Sequence, residues 1–244
     1  MSMKNEDIEL EQEVLQAEYM QAQQPALLVL LAQGISIVFH PFLILLYAFV
    51  LLAYCNPFLF RVSSFAAVFE NKVNSMLFIW LAIFSFAVPL LTVLMMRALN
   101  FVSSLQMPGR MERIGPYIVV GLLYMVIFVN FKNNPGVPLE LTAFALGSTI
   151  ALFISFFFNL FSKISVHTTG MGGLVAMTLL AVSRSYDGQG YLLVWVVLLA
   201  GLVGTARLLL GAHKTKEVYG GYASGFMGQM IAFNYLFATA AEQM

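Results

Sequence analysis

The feature that most constrains this chain is a series of apolar stretches, two of which, about Pro25 to Tyr54 and Val73 to Met96, contain no Asp, Glu, Lys or Arg. A helix of about 20 apolar residues crosses a hydrocarbon layer of about 30 Å. The alternative spanning structure, a closed β-barrel, would write itself as short segments of alternating polarity, and no such alternation is present. A soluble domain carries about a quarter of its residues charged, whereas this chain is 60% hydrophobic and 10% charged. The expectation is an all-α, multi-span transmembrane helical bundle of about six to seven spans. Residues 25–244 would form a single membrane domain, preceded by an acidic polar segment over residues 1–24.

That opening segment interleaves Glu6, Asp7, Glu9, Glu11, Glu13 and Glu18 with Ile8, Leu10, Val14 and Leu15. It reads as an amphipathic helix ordered in part, or as a solvated tail. It lacks the basic-then-apolar pattern of a cleavable signal peptide. Five further runs follow the first two: about Tyr117 to Phe131, Pro138 to Phe161, Gly170 to Val182, Tyr191 to Leu210 and Tyr219 to Phe237. Pro41 should bend the first run, and Pro89 lies within the second. Asn133-Asn134-Pro135-Gly136 and Ser185-Tyr186-Asp187-Gly188 have turn chemistry. Gly170, Gly172 and Gly173 in the fifth run, and Gly220, Gly221, Gly225 and Gly228 in the seventh, predict close helix packing inside the bundle.

With seven crossings, parity puts the N-terminus and three polar stretches on one membrane face: residues 110–116, 163–168 and 207–217. These gather Arg110, Arg113, Lys163, His167, Arg207, His213, Lys214 and Lys216 against Glu112 and Glu217. Cations above an apolar bundle suit an anionic head group carried on a lipid tail. Zero net charge argues against nucleic acid as a partner. A lone cysteine, Cys55, excludes an internal disulfide and a cysteine-based metal cage; it reads as a small packed residue. No metal and no cofactor is expected.

His213 and Glu217, four residues apart, would share one helix face. A carboxylate beside an imidazole fixes its tautomer and leaves the other ring nitrogen free to attack. Arg207, six residues earlier, can hold two phosphoryl oxygens at once. His167 arrives from another span and could protonate a leaving oxygen.

Arg207-x5-His213-x3-Glu217, followed by Val218-Tyr219-Gly220-Gly221, resembles the third signature of the type-2 phosphatidic-acid phosphatase superfamily, the lipid phosphate phosphatases. Ser165-Val166-His167-Thr168 resembles the second signature. Arg110 and Arg113, ahead of Gly115-Pro116, stand where the first falls. The resemblance implies a lipid-phosphatase-like core and the hydrolysis of a lipid phosphate or diphosphate through a phosphohistidine. His213 would be the nucleophile, Glu217 its orienting acid and His167 the general acid. Arg207, Arg110, Arg113, Ser165 and Lys163 would hold the phosphate, with no metal. The chain departs from the pattern at Ala206 (Ser in the family), Glu217 (Asp), and Ile164 and Val166 (Pro and Gly). The first signature keeps only its basic character and a later proline.

Those departures leave an alternative: a weakened family member that binds phospholipid or serves as a membrane scaffold. Other readings are less specific. The 207–217 stretch or Lys163, Lys214 and Lys216 could simply meet head groups. His40 could satisfy a carbonyl freed by Pro41, or serve a small transporter. For orientation, Lys4 and Arg97 on the site face stand against Arg61, Lys72, Lys132 and Arg184 opposite, once the residues placed for chemistry are set aside. The positive-inside rule then puts the site on the outer, periplasmic face of an inner (plasma) membrane.

Overall fold

A computed structural model describes residues 12, 15–19, 21–104, 107, 109–184 and 189–242. It is 82% helical, with no strand among the described residues, which makes the chain an all-α bundle. The helices are α1 (Ala26–Val38), α2 (Ile44–Cys55), α3 (Phe65–Glu70), α4 (Lys72–Ala82), α5 (Val88–Ala98), α6 (Ile114–Lys132), α7 (Leu139–Asn159), α8 (Val166–Ser183), α9 (Gly190–Leu209) and α10 (Thr215–Glu242). Among the described residues, six stretches are long and apolar enough to cross a membrane: Ala26–Cys55, Lys72–Ala98, Met111–Lys132, Leu139–Asn159, Val166–Ser183 and Gly190–Leu209. The protein is therefore a multi-pass membrane protein. α10 has 28 residues, about 42 Å of helix, but glycine, serine and glutamine dilute its apolar character. It lies outside the six on hydropathy and inside the bundle by packing.

The first run is not one bent helix. α1 stops at Val38, and a 3-10 turn at Pro41–Leu43 precedes α2. The ring of Pro41 disfavours helical geometry at the residue before it, and His40 is extended (φ −62°, ψ 137°). In the second span, Pro89 has no N–H to offer Ser85, and a π-turn at Ile83–Ala87 takes up the register between α4 and α5. Residues 15–19 and 21–22 are helical. Gln12 is helical too and residues 23–24 turn; residues 1–11, 13–14 and 20 of the expected amphipathic segment, and the 185–188 turn, lie outside the described residues.

α10 packs most extensively against α8 and α7. The glycines explain how. A Cβ on Gly221 would stand 2.6 Å from the Ser165 carbonyl, and one on Gly228 would stand 2.6 Å from the Gly147 carbonyl. A Cβ on Gly225 would strike the Thr169 carbonyl. Small residues let these backbones touch, the device that substitutes for hydrophobic driving force inside a bilayer. Burial follows: over an apolar 18-residue window, 56% of residues in α7 and 50% in α8 are inside, against 22% in the Lys72–Ala98 span, which faces outward.

Candidate functional site

The three polar stretches meet at one end of this glycine-packed core. The Ser165 N–H donates to the Glu217 carbonyl at 3.2 Å, and Thr168 Oγ1 donates to the Val218 carbonyl at 3.0 Å. These bonds join the first turn of α8 to that of α10. From the preceding stretch, Arg113 Nη1 reaches the Ile164 carbonyl at 3.5 Å and Arg110 Nη1 the Phe161 carbonyl at 3.4 Å. The opening segment joins the same end, where Gln21 Nε2 donates to the Leu210 carbonyl at 2.7 Å. Gly211, at φ +61°, turns the chain out of α9 beside Ala17, a left-handed conformation that glycine adopts without strain.

His213 follows that turn. It is not on a helix, as the four-residue spacing suggested; α10 begins only at Thr215. The contact with Glu217 forms differently. Lys214 sits at the helix cap, and Glu217 reaches back to accept from the Lys214 N–H at 3.3 Å, half of a capping box. The same oxygen, Oε2, accepts from His213 Nδ1 at 2.9 Å. Both side chains are buried. The carboxylate can only accept, so Nδ1 carries the proton and Nε2 keeps its lone pair. Burial, with the charges of Arg113 and Arg207, lowers the His213 pKa to about 4 against the opposing pull of Glu217. At neutral pH the ring is an uncharged imidazole with one nitrogen free, the form that attacks an electrophile.

Arg207 occupies the last turn of α9. Its Nη1 donates to Ser36 Oγ at 3.2 Å, while its buried Nε has no partner. Ser165 caps α8, fully buried, and its Oγ also has no partner. Its carbonyl accepts from Thr169 Oγ1 at 3.0 Å and shares the Thr168 hydroxyl hydrogen, also at 3.0 Å, with the Val218 carbonyl. Arg113 is buried, donates Nε to the Met107 carbonyl at 2.9 Å, and lies near enough for its charge to act on both Arg207 and His213. Lys163 acts likewise on Glu217. Crowding two guanidiniums beside an imidazole suits a ligand of negative charge.

His167 stands in the first turn of α8, within electrostatic reach of Arg207, His40 and His213. Its Nε2 lies 3.1 Å from the Ser36 carbonyl. Its ring meets that of His40 edge-on, with centroids 5.5 Å apart. The structure thus gathers Arg113, Lys163, Ser165, His167, Arg207, His213 and Glu217. Arg110 is directed to the end of α7, where Asn159 Nδ2 also holds its carbonyl at 2.8 Å. Ser36 was not anticipated. Its one signal was the His40-Pro41 break four residues later, and that signal does not name the partner.

No family model matches this chain, and no curated protein or solved structure does either.

Proposed function

We propose that this protein is a metal-independent lipid phosphate phosphatase of the type-2 phosphatidic-acid phosphatase kind, with its site on the outer face of a bacterial-type inner membrane. One observation carries the reading. Two donors nominated for phosphate, Ser165 Oγ and Arg207 Nε, are buried without protein partners next to a neutral imidazole whose second nitrogen is held by a carboxylate. Buried polar atoms are nearly always paired, and a tetrahedral oxyanion would satisfy both donors.

The chemistry is two displacements. The substrate phosphate first passes its own proton to His167 Nδ1 as it binds. His213 Nε2 then attacks phosphorus, the P–O bond to the lipid breaks, and the leaving oxygen takes that proton from His167 Nδ1. Water then attacks the phosphohistidine, giving its proton back to His167 and releasing inorganic phosphate. Arg207, Arg113 and Ser165 hold the non-bridging oxygens, whose charge grows in each transition state. The substrate enters between spans, tail in lipid and phosphate among the cations.

Purified full-length protein in liposomes, with a chelator present, should release phosphate from at least one of polyprenyl diphosphate, phosphatidic acid, phosphatidylglycerol phosphate or a lipid A phosphate. His213→Ala and His167→Ala should each cut release by at least about 100-fold. Full activity in either variant refutes the mechanism. The substitutions at Ala206 and in the first motif stretch favour one second reading, a phospholipid-binding member without turnover. It predicts saturable phosphate or vanadate binding with no hydrolysis across the same lipids.

A further inference from the structure

We propose that Ser36, in the first span, is a positioning residue of this site. Its carbonyl fixes the tautomer of His167, and its hydroxyl orients Arg207.

The argument begins with a backbone account. In a continuing helix the His40 N–H would bond the Ser36 carbonyl. Here it turns instead to the Ile37 carbonyl at 3.2 Å, because Pro41 drives His40 out of helical geometry. Ser36 is buried, and a buried carbonyl must find a donor. The donor is His167 Nε2, from a span 131 residues away in sequence, at 3.1 Å. A carbonyl only accepts, so Nε2 carries the hydrogen and Nδ1 is the nitrogen through which His167 gives and takes a proton. The Ser36 Oγ meanwhile accepts from Arg207 Nη1 at 3.2 Å. One residue therefore ties the proposed acid and the proposed phosphate clamp to a single point on α1.

His40 completes the device. Its Nδ1 accepts from the Phe42 N–H at 3.4 Å, capping the 3-10 turn, and its ring packs edge-on against His167. Where the sequence left His40 as the acceptor's natural companion, the freed carbonyl is taken by His167, and His40 braces that ring. The helix break at Pro41 is thus part of the site, although it lies in a span that carries none of the three motif stretches.

The kinetic part of this inference rests on the phosphatase reading; the tautomer and the anion binding do not. The chain has three histidines, so imidazole nitrogen NMR on histidine-labelled full-length protein resolves each ring, with His167→Gln to assign the signal. His167 should be the Nε2–H tautomer. Pro41→Ala supplies the missing N–H and lets His40 compete for the Ser36 carbonyl, so the His167 signal should move toward a tautomer mixture. Ser36→Ala should weaken orthovanadate binding about tenfold, the effect of one hydrogen bond to a charged group, and Ser36→Thr should restore it. In turnover, Ser36→Ala should raise KM more than it lowers kcat. A wild-type His167 in the Nδ1–H form overturns the proposal without any variant. Unchanged vanadate affinity in Ser36→Ala overturns the Arg207 half. If wild-type protein releases no phosphate while both non-kinetic readouts follow Ser36, the phosphatase reading fails and the positioning role stands.

Discussion

The two imidazole corners of this site are built by opposite means. At His213 the partner is four residues on and charged, and the contact comes from the way α10 starts: Glu217 caps the helix and holds the ring with one oxygen. At His167 the partner is 131 residues back and neutral, a carbonyl released by a proline in another span. A carboxylate steadies a ring that becomes positive or phosphorylated; a carbonyl fixes which nitrogen carries hydrogen without adding charge. The first arrangement suits a nucleophile, and the second suits a proton carrier.

The sharpest way to break this comparison is to remove each ring. On the proposed mechanism, His213→Ala should lower turnover by more than about 10^4-fold, since the proposed nucleophile has no substitute. His167→Ala should cost about 10^2- to 10^4-fold, the range of general acid–base catalysis. Rapid acid quench with labelled substrate separates them: the His167 variant should still form a phosphoenzyme, slowly, and the His213 variant none. Equal losses with no phosphoenzyme in either would erase the division of roles.

The next test asks whether the corners are one unit. Both hang on the seam where α8 and α10 touch, so Gly225→Val, whose new atoms would meet the Thr169 carbonyl, should disturb them together. Overpacking of this kind costs about 1–3 kcal/mol or more. The expected outcome is a lower detergent-unfolding midpoint, with nitrogen resonances of His167 and His213 shifting in concert. A smaller effect probes charge at one corner alone. Glu217→Gln keeps an acceptor but loses the charge, and hydrogen bonds to ions are about twice as strong as neutral ones. Turnover should fall about 10- to 100-fold while the His167 signal stays in place.

The difference between the corners also marks what could be read from the sequence. Spans follow from hydropathy because a bilayer admits few backbones, and the seam follows from Gly221, Gly225 and Gly228 because only small residues allow such approach. The gathering of Arg113, Arg207 and His213 follows from parity and from residue types that are scarce in this chain. The pairing of His213 with Glu217 was legible for a slightly wrong reason, helix-face spacing in place of a cap, since both geometries bring positions four apart together. Nothing local could reveal Ser36 as the partner of His167: a freed carbonyl announces that some donor is needed, and only three-dimensional packing chooses which. Arg110 shows the same limit: its neighbourhood is basic, but only packing sets its Nη1 on the Phe161 carbonyl just past α7.

The smallest effect concerns the proton at His213. The free ring titrates at about 4 because burial and the charges of Arg113 and Arg207 outweigh Glu217. A dianion lodged against those guanidiniums offsets their charge and raises the ring's value. Between the free value near 4 and the raised one, the complex binds a proton that the free protein does not. Anion affinity must then rise as pH falls through that window, by at most about tenfold per pH unit, and stay flat above it. Sulfate is the cleaner probe, because its own charge is constant there. Titration calorimetry in two buffers of different ionisation enthalpy should count protons taken up per sulfate. His213→Asn should remove the share that belongs to that ring, and His167→Asn any share that belongs to the other, because Arg207 acts on both. A flat affinity in the wild-type protein would mean that the anion and the His213 ring do not share a pocket, and the two corners would then have no common substrate to act upon.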